Sequence, residues 1–208
     1  PQGRQAVKTK VLAYNSKLVK KVINFELKRK GQIYYLHNRI QTIDKAAAQI
    51  KKLAPRTKIG IIHGRMQERK LLKIMDDFQK ERTNLLMATT IIENGIDMPK
   101  VNTIIIEDAT RLGLSQAHQI RGRVGRSHIE AFAYFLFDPK SLTPLAKERL
   151  DALADSQELG AGYRIAIRDL ELRGAGNILG KEQSGTINKI GLNLYSQILS
   201  EAVEKLRE

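Results

Sequence analysis

Three arginines and two glycines lie within seven residues, Arg121 to Ser127, in the stretch QIRGRVGRS that begins at Gln119. An arginine is always charged and presents a planar fork of donors that suits phosphate oxygens. Glycines between arginines let the backbone approach a ligand closely and let side chains leave in different directions. Arg123 and Arg126 are three residues apart and therefore share one face of a helix or turn. Two such forks favour a nucleotide polyphosphate, while a nucleic-acid backbone and a protein partner remain alternatives.

The sequence lacks the other parts of a nucleotide-hydrolysing site. A P-loop has the pattern G-x-x-x-x-G-K-[ST], and the one Gly-Lys pair, Gly180-Lys181, is followed by Glu182. The run IIIED over 104–108 resembles a strand that ends in Mg²⁺-binding acids, but without a P-loop we interpret these acids as structural. The glycine-rich stretch over 174–185 lacks the spacing and the preceding strand of a dinucleotide fingerprint. The arginines therefore have no P-loop beside them in this sequence.

The positive charge of the chain is concentrated in its first two-thirds. Residues 1–138 contain 26 Lys and Arg and 12 Asp and Glu, a net of +14, whereas residues 139–208 contain ten of each. This asymmetry indicates a basic domain that meets a polyanion, followed by a balanced segment. Nucleic acid is the favoured polyanion, although a solvated basic surface would show the same count.

Composition also narrows the class of protein. The chain has no cysteine, and its four histidines show no ligand spacing, so we expect no disulfide and no metal site. No apolar run approaches the roughly 18 residues of a membrane span, and no signal pattern is visible. We therefore expect a cytoplasmic protein without a membrane partner.

Strand and helix patterns alternate up to residue 138, which predicts an α/β domain. Short apolar strands separated by amphipathic helices indicate a parallel sheet with helices on both faces. The predicted strands cover 7–14, 32–36, 58–62, 84–89, 103–107 and 131–137. The predicted helices run from Ser16, as cap, to about Lys30, from a Thr42 cap to Leu53, over 67–80, and from Ser115 through the arginines.

The pattern after residue 138 is helical. Thr143 and Pro144 predict a helix start, with the helix reaching Ala154. Further helices are predicted over 162–174 and 189–207, on either side of the glycine-rich loop. We expect a helical hairpin and a loop that pack on, or extend from, the α/β domain.

Four stretches resemble, in family order, the motifs of superfamily 2 helicases and translocases. They are YYLHNR (34–39, motif IV), IIHGRM (61–66, the next motif), ATTIIENGIDMP (88–99, motif V) and the Gln119–Arg126 pattern Q-x-x-G-R-x-G-R (motif VI). Four ordered motifs are far more specific than any one of them. The resemblance implies the second RecA-like domain of a two-domain motor.

The resemblance narrows to RecG and to the Mfd family of bacterial transcription-repair coupling factors. It rests on LSQAHQIRGRVGRS, on ELGAGYRIAIRDLELRGAGNILGKEQSG and on GLNLYSQILSEAVEKL, and it fits the coupling factors better. It implies a RecA-like domain over 1–138 and a translocation (TRG) motif over 139–208. The implied whole is an ATP-dependent double-stranded DNA translocase that displaces stalled RNA polymerase and couples transcription to nucleotide excision repair.

The resemblance implies an ATP site shared between two motor domains. The first domain would supply the P-loop and the Mg²⁺-holding acids, so this chain alone is expected to be inactive. Arg126 matches the arginine finger, Arg123 its companion near the γ-phosphate, and Gln119 a residue that positions phosphate or water. Gly95 and Asp97 of motif V match positions that sense the nucleotide.

The resemblance also implies nucleic-acid and coupling residues. The residues that match the nucleic-acid track are Arg39, His63, Gly64, Thr89 and Thr90. Those that match coupling positions are Glu93, Arg173 and Gln183. The implied partners are double-stranded DNA, the first RecA-like domain of the same protein, and, through regions outside this chain, RNA polymerase and excision-repair proteins. The alternatives are a RecG-type branch-remodelling helicase and an ATP-independent DNA-binding module.

Overall fold

The computed structural model describes residues 7–89, 101–125 and 129–155 together with Asp169. Six strands form one parallel sheet in this part of the chain: β1 Lys8–Ala13, β2 Gln32–Leu36, β3 Ile59–Ile62, β4 Leu85–Ala88, β5 Val101–Ile106 and β6 Phe132–Phe137. Five α-helices accompany them, four between strands and the last after β6: α1 Ser16–Lys28, α2 Ile43–Leu53, α3 Glu68–Gln79, α4 Leu114–Arg121 and α5 Pro144–Asp155. The strand order is β1-β6-β5-β2-β4-β3. The predicted strands are confirmed, with bounds that differ by one or two residues.

The central strand β2 shows how the sheet is covered on both sides. All five of its residues are buried, because alternate side chains enter cores on opposite faces. Ile33 and Tyr35 pack with α1 and α2, whereas Tyr34 and Leu36 pack with α3, α4 and α5. Both neighbours hold its register, with Tyr34 lying opposite Leu86 of β4 on one side and Ile104 of β5 on the other. The predicted parallel sheet with helices on both faces is therefore confirmed.

The helix ends differ in detail from the predicted caps. Asn15, and not Ser16, caps α1, since its side chain accepts a hydrogen bond of 2.9 Å from the Lys17 N–H. After α1, Lys30 adopts the left-handed conformation (φ 59°), and the Gly31 N–H donates to the Glu26 carbonyl. Gly31 is needed for space instead, because a Cβ there would overlap the Glu26 carboxylate.

Two further helix ends differ from the prediction: Thr42 is at the predicted N-cap position of α2 but lacks the capping bond, and α4 ends earlier than predicted. Thr42 precedes α2, but its hydroxyl makes no capping bond and instead lies 2.8 Å from His37 Nε2. Helix α4 stops at Arg121 and does not continue through the arginines. Gly122 ends it, and Gly125 then adopts a φ of 78°, in the left-handed region that favours glycine.

Helix α5 begins where the sequence predicted. The Ala146 N–H donates to Thr143 Oγ1 at 3.2 Å, and Pro144 occupies the first helical position, where its missing N–H costs nothing. Leu150 and Leu153 are buried in the core shared with α4. The first helix after the sheet therefore packs as part of the layer that carries motif VI.

Candidate nucleotide and nucleic-acid sites

The track residues that the structure describes lie at one edge of the sheet. Arg39 follows β2, Thr89 follows β4, and His63 and Gly64 follow β3. Because β2, β4 and β3 are adjacent and parallel, their carboxyl ends meet at the same edge. The structure therefore brings residues from three stretches that are distant in sequence to one surface. Thr90, the fifth predicted member, lies outside the described residues.

Arg39 stands beside a cleft of about 520 Å³ at this edge. Its guanidinium lies 3.7 Å from the Asp108 carboxylate, which also pairs with Arg111 Nε at 2.7 Å. Asp108 adopts a left-handed φ of 58° at the end of β5, and this conformation turns the chain toward the cleft. Both arginine side chains are more than half exposed, so solvent reaches them although each pairs with Asp108.

Glu107 anchors the other side of the cleft. Its Oε2 lies 2.7 Å from His37 Nδ1 and accepts a hydrogen bond of 3.2 Å from the Tyr35 hydroxyl. Burial and the nearby Glu107 carboxylate raise the pKa of Tyr35 well above its usual value, and the same two causes raise that of Tyr14. Glu107 and Asp108 therefore organise motif IV, which agrees with their interpretation as structural acids.

His63 and Gly64 differ from ordinary turn residues. His63 Nδ1 is buried and has no hydrogen-bond partner among the described residues. Gly64 is exposed, and a Cβ added to it would have no atom within 4 Å. Nothing in the described part of the fold requires a glycine at this position, so the space above it is available to an external backbone.

Of the predicted nucleotide residues, the structure describes Gln119 and Arg123, and both belong to the sheet face that carries α4. Gln119 is exposed on α4, and Arg123 is half-buried in the turn after it. The Arg123 N–H donates to the Ile120 carbonyl at 3.0 Å, which fixes the turn, and Val124 is buried beneath it. Gln119 and Arg123 thus provide an amide and a guanidinium one turn apart, a donor set that suits phosphate oxygens.

Arg121 has a different environment from Arg123. It is only 6% exposed, and its guanidinium contacts the Leu153 carbonyl of α5 at 3.4 Å and His118 Nδ1 at 2.8 Å. Burial lowers the pKa of Arg121. One arginine of the three therefore ties α4 to α5, a role that the sequence analysis missed. Its position on the apolar side of α4, next to Ile120 and one turn from Ala117, was the available signal.

A second contact joins α4 to the segment that follows the sheet. The Ser115 hydroxyl donates a hydrogen bond of 2.7 Å to Asp169 Oδ2, and Asp169 is buried. Arg149 of α5 adds a bond of 3.3 Å to the Leu112 carbonyl. Three polar contacts thus connect the motif VI region to residues of the predicted translocation segment.

Several predicted site residues lie outside the part of the chain that the structure describes. They are Thr90, Glu93, Gly95, Asp97, Arg126, Arg173 and Gln183. The predicted hairpin and loop after α5 also lie there, apart from Asp169. Among the described residues, no helix has the length and apolarity needed to cross a bilayer.

Comparison with known proteins identifies the family. The model of the helicase conserved C-terminal domain matches residues 14–128, more than half of the chain. The chain belongs to this helicase C-terminal domain family. That assignment agrees with the resemblance of motifs IV to VI, which all lie within the matched range.

The most informative relatives share sequence over the whole chain. The transcription-repair-coupling factor of Escherichia coli (strain K12) is 50% identical over 208 residues, and that of Bacillus subtilis (strain 168) is 48% identical over 206 residues. The match covers 100% and 99% of this helicase domain chain. The chain spans 18% of the length of each of these relatives.

Solved structures confirm the RecA-like fold. RecG bound to a three-way DNA junction has a TM-score of 0.71 and 32% identity, covering 95% of this chain and 26% of that one. The E. coli DEAD-box protein SrmB has a TM-score of 0.56 at 17% identity, covering 71% of this chain and 85% of that one. The DEAD-box likeness supports the fold alone.

Proposed function

We propose that this chain is the second half of an ATP-driven, double-stranded DNA translocase that displaces stalled RNA polymerase and couples transcription to nucleotide excision repair. The main support is the identity of about 50% with transcription-repair-coupling factors along the entire chain, including the stretch after the sheet. The RecG structure bound to a DNA junction supports the DNA substrate. Since DNA and polymerase are the proposed partners, the protein acts in the cytoplasm.

The proposed catalytic group is the set Gln119, Arg123 and Arg126. Negative charge develops on the γ-phosphoryl oxygens as the bond to the leaving group breaks, and an inserted arginine stabilises it. Such arginines accelerate related reactions by about 10³ to 10⁵. Arg126 is the finger, Arg123 its companion and Gln119 the positioning group, while Gly95 and Asp97 report the state of the nucleotide.

The P-loop and the Mg²⁺-holding acids are assigned to the first RecA-like domain of the same protein. The amide and guanidinium groups on and after α4 fit phosphate oxygens, which are anionic. This chain therefore supplies donors to a shared ATP site, and the purified 208 residues alone should not hydrolyse ATP. Measurable turnover by the folded, purified chain contradicts the half-motor proposal.

The proposed DNA track is the carboxyl edge of the sheet. Arg39, His63, Gly64, Thr89 and Thr90 would contact phosphate oxygens without reading bases, so binding should tolerate any sequence and weaken with salt. The exposed Arg39 and the open space above Gly64 support this assignment.

Coupling between the two sites is assigned to Glu93 and to the translocation segment with Arg173 and Gln183. Domain closure on ATP would move α4, and the Ser115 and Arg121 contacts would carry that movement into the segment after the sheet. Arg173→Ala in the intact protein should abolish translocation and largely keep ATP hydrolysis. Loss of both translocation and ATP hydrolysis contradicts the proposal that the translocation segment acts as a lever.

Arg126→Ala in the intact protein tests the nucleotide role against an ATP-independent DNA-binding module. We expect ATP hydrolysis to fall by about 10³ or more while duplex DNA binding persists. Arg82→Ala removes an exposed arginine that pairs with Asp77, and it serves as the charge-matched control. Weaker DNA binding with intact hydrolysis supports the binding module instead.

A RecG-type branch-remodelling function is the second candidate, because RecG matches 95% of the chain at a TM-score of 0.71. The two functions can be distinguished by the substrate on which the protein acts. A coupling factor should displace a stalled polymerase from linear duplex DNA, whereas a branch remodeller should unwind a three-way junction without polymerase.

A further inference from the structure

We propose that the exposed lysine stripe of helix α1, formed by Lys17, Lys20, Lys21 and Lys28, holds the phosphate backbone of duplex DNA. This surface lies on the sheet face opposite α4. The inference rests on the proposed function and extends its DNA site beyond the carboxyl edge of the sheet.

The four lysines share one side of α1. Their spacing of three, four and seven residues places them within the same sector of a 3.6-residue helix, and all four are exposed. At 1.5 Å per residue, the stripe is about 16 Å long. Among the described residues, no carboxylate pairs with any of the four.

The one acid of α1 does not neutralise the stripe. Glu26 is fully buried, and its carboxylate accepts hydrogen bonds from the Thr103 hydroxyl at 2.6 Å and from the Arg29 guanidinium at 2.6 and 2.9 Å. The Asn102 amide adds a longer bond of 3.3 Å. Glu26 therefore accepts hydrogen bonds inside the domain and does not neutralise the lysines, so the outer side of the helix keeps its full positive charge.

This arrangement opposes the stability of α1. Lys17, Lys20 and Lys21 repel one another at spacings of three and four residues. They also lie near the amino end of the helix, where the helix dipole is positive and acidic side chains are favoured. The first turn of α1 contains no acid, and its cap is the neutral Asn15. A polyanion bound outside the helix would remove this repulsion.

The position of α1 favours the DNA that the carboxyl edge is proposed to hold. Helix α1 starts two residues after β1 and leads into β2, so it runs from the carboxyl edge toward the amino edge of the sheet. It packs against β2, the strand that Arg39 follows. The first lysine of the stripe, Lys17, therefore lies toward the carboxyl edge of the sheet. With a phosphate every 3.4 Å per strand, about 16 Å corresponds to roughly five base pairs.

An exposed aromatic ring lies beside the stripe. Phe25 is 49% exposed, and the Arg29 guanidinium lies 5.0 Å from its ring centroid and 5.3 Å from that of Phe132. Arg29 also pairs with the buried Glu26, so its own charge is compensated. The four lysines therefore form a basic surface flanked by an aromatic ring. Such a surface suits contact with a phosphate backbone that does not read sequence.

The test compares two triple variants of the intact protein without nucleotide. The stripe variant is Lys17→Gln, Lys20→Gln and Lys21→Gln, and the control variant is Lys45→Gln, Lys52→Gln and Lys73→Gln, which changes exposed lysines of α2 and α3. Both lose three charges, and glutamine has a helix propensity close to that of lysine. Binding of a short fluorescent duplex is measured by anisotropy over a series of salt concentrations.

We expect the stripe variant to lose about 10- to 100-fold in affinity, and the slope of log affinity against log salt to decrease by about two to three. The control should change the slope by less than about one. Circular dichroism and ATP hydrolysis without DNA should be unchanged in both. Equal losses of duplex affinity in the two variants overturn the proposed role of the stripe, because the change in net charge alone would then explain them.

Two further measurements, on Arg39→Ala and on polyglutamate binding, distinguish the stripe proposal from the proposed function and from an acidic protein partner. If wild type binds duplex DNA and Arg39→Ala lowers the salt slope while the stripe variant does not, the proposed function stands and the stripe fails. If wild type shows no salt-dependent duplex binding, the proposed function is contradicted, and the stripe proposal, which rests on it, is overturned as well. If the stripe variant loses binding to polyglutamate but keeps duplex binding, the stripe serves an acidic protein and the DNA proposal is overturned.

Discussion

The Ser115 hydroxyl donates a hydrogen bond of 2.7 Å to the carboxylate of Asp169, which is only 5% exposed. Ser115 lies in the first turn of the helix that carries Gln119, whereas Asp169 belongs to the segment predicted to drive translocation. A hydrogen bond to a carboxylate typically contributes about 1.5–3 kcal/mol, so its loss should be measurable. This contact is therefore a physical link between the proposed ATP site and the proposed lever.

Ser115→Ala tests this link in the intact protein. We expect slower DNA translocation with ATP hydrolysis largely retained, because the proposed catalytic side chains are untouched while the lever loses its attachment. Displacement of a triplex-forming strand reports translocation, and phosphate release reports hydrolysis. Ser141→Ala is the control, since this exposed hydroxyl bonds only the Asp138 carbonyl among the described residues. Parallel loss of both activities would argue against a specific lever.

Two neighbouring arginines should give opposite results. Arg121→Ala should lower the free energy of unfolding by about 1–3 kcal/mol, because the buried contacts to Leu153 and His118 are lost. Arg123→Ala should lower the unfolding midpoint less than Arg121→Ala, because Arg123 is only half-buried, and should reduce ATP hydrolysis in the intact protein. Urea denaturation and steady-state hydrolysis separate the two effects. A stability loss at Arg123 equal to that at Arg121 would contradict a nucleotide role for Arg123.

Gly64→Ala should weaken DNA binding without weakening the fold. The added methyl group meets no atom of the described structure, and losing backbone freedom in the unfolded chain adds up to about 1 kcal/mol of stability. An external phosphate backbone, in contrast, would meet that methyl group. Duplex binding and thermal unfolding are the measurements.

Gly31→Ala provides the matched comparison for Gly64→Ala. Its Cβ would overlap the Glu26 carboxylate and lie 2.9 Å from Asn102 Nδ2, so the unfolding midpoint should fall. Unchanged DNA affinity in Gly64→Ala, with the fold intact, would remove Gly64 from the track.

Alkaline pH should destabilise the domain partly through Tyr35. Burial first, and Glu107 second, raise the pKa of Tyr35 above its usual value near 10, so the folded state keeps a proton that the unfolded state loses. The stabilisation is complete below pH 10 or so and declines as the pH rises further, by up to about 1.4 kcal/mol per pH unit for one group. Tyr35→Phe should make this decline shallower. Tyr14→Phe should change it less, since Tyr14 is 37% exposed and better solvated. Identical pH profiles for wild type and Tyr35→Phe would exclude this contribution.

The strands of the sheet were predictable because they follow from local patterns of apolar and polar residues. The alternation and apolarity of 32–36 and 103–107 gave strands that the structure confirms within two residues. The caps were less predictable, since Asn15 and Ser16 are both good capping residues and only the backbone path selects one. The end of α4 was wrong because the helical pattern of HQIR was continued through Gly122.

By itself, the sequence determined the parallel α/β class, the positions of the motifs and the absence of a P-loop in the chain, since these depend on residue types and their periods. The tertiary structure decided which residues meet. Strand order placed Arg39, Thr89 and His63 at one edge, although 50 residues separate the first from Thr89. Packing against α5 turned Arg121 inward and left Arg123 half-buried in the next turn. A charge pattern cannot distinguish two arginines two residues apart, because burial depends on what the rest of the chain brings to each side of the helix.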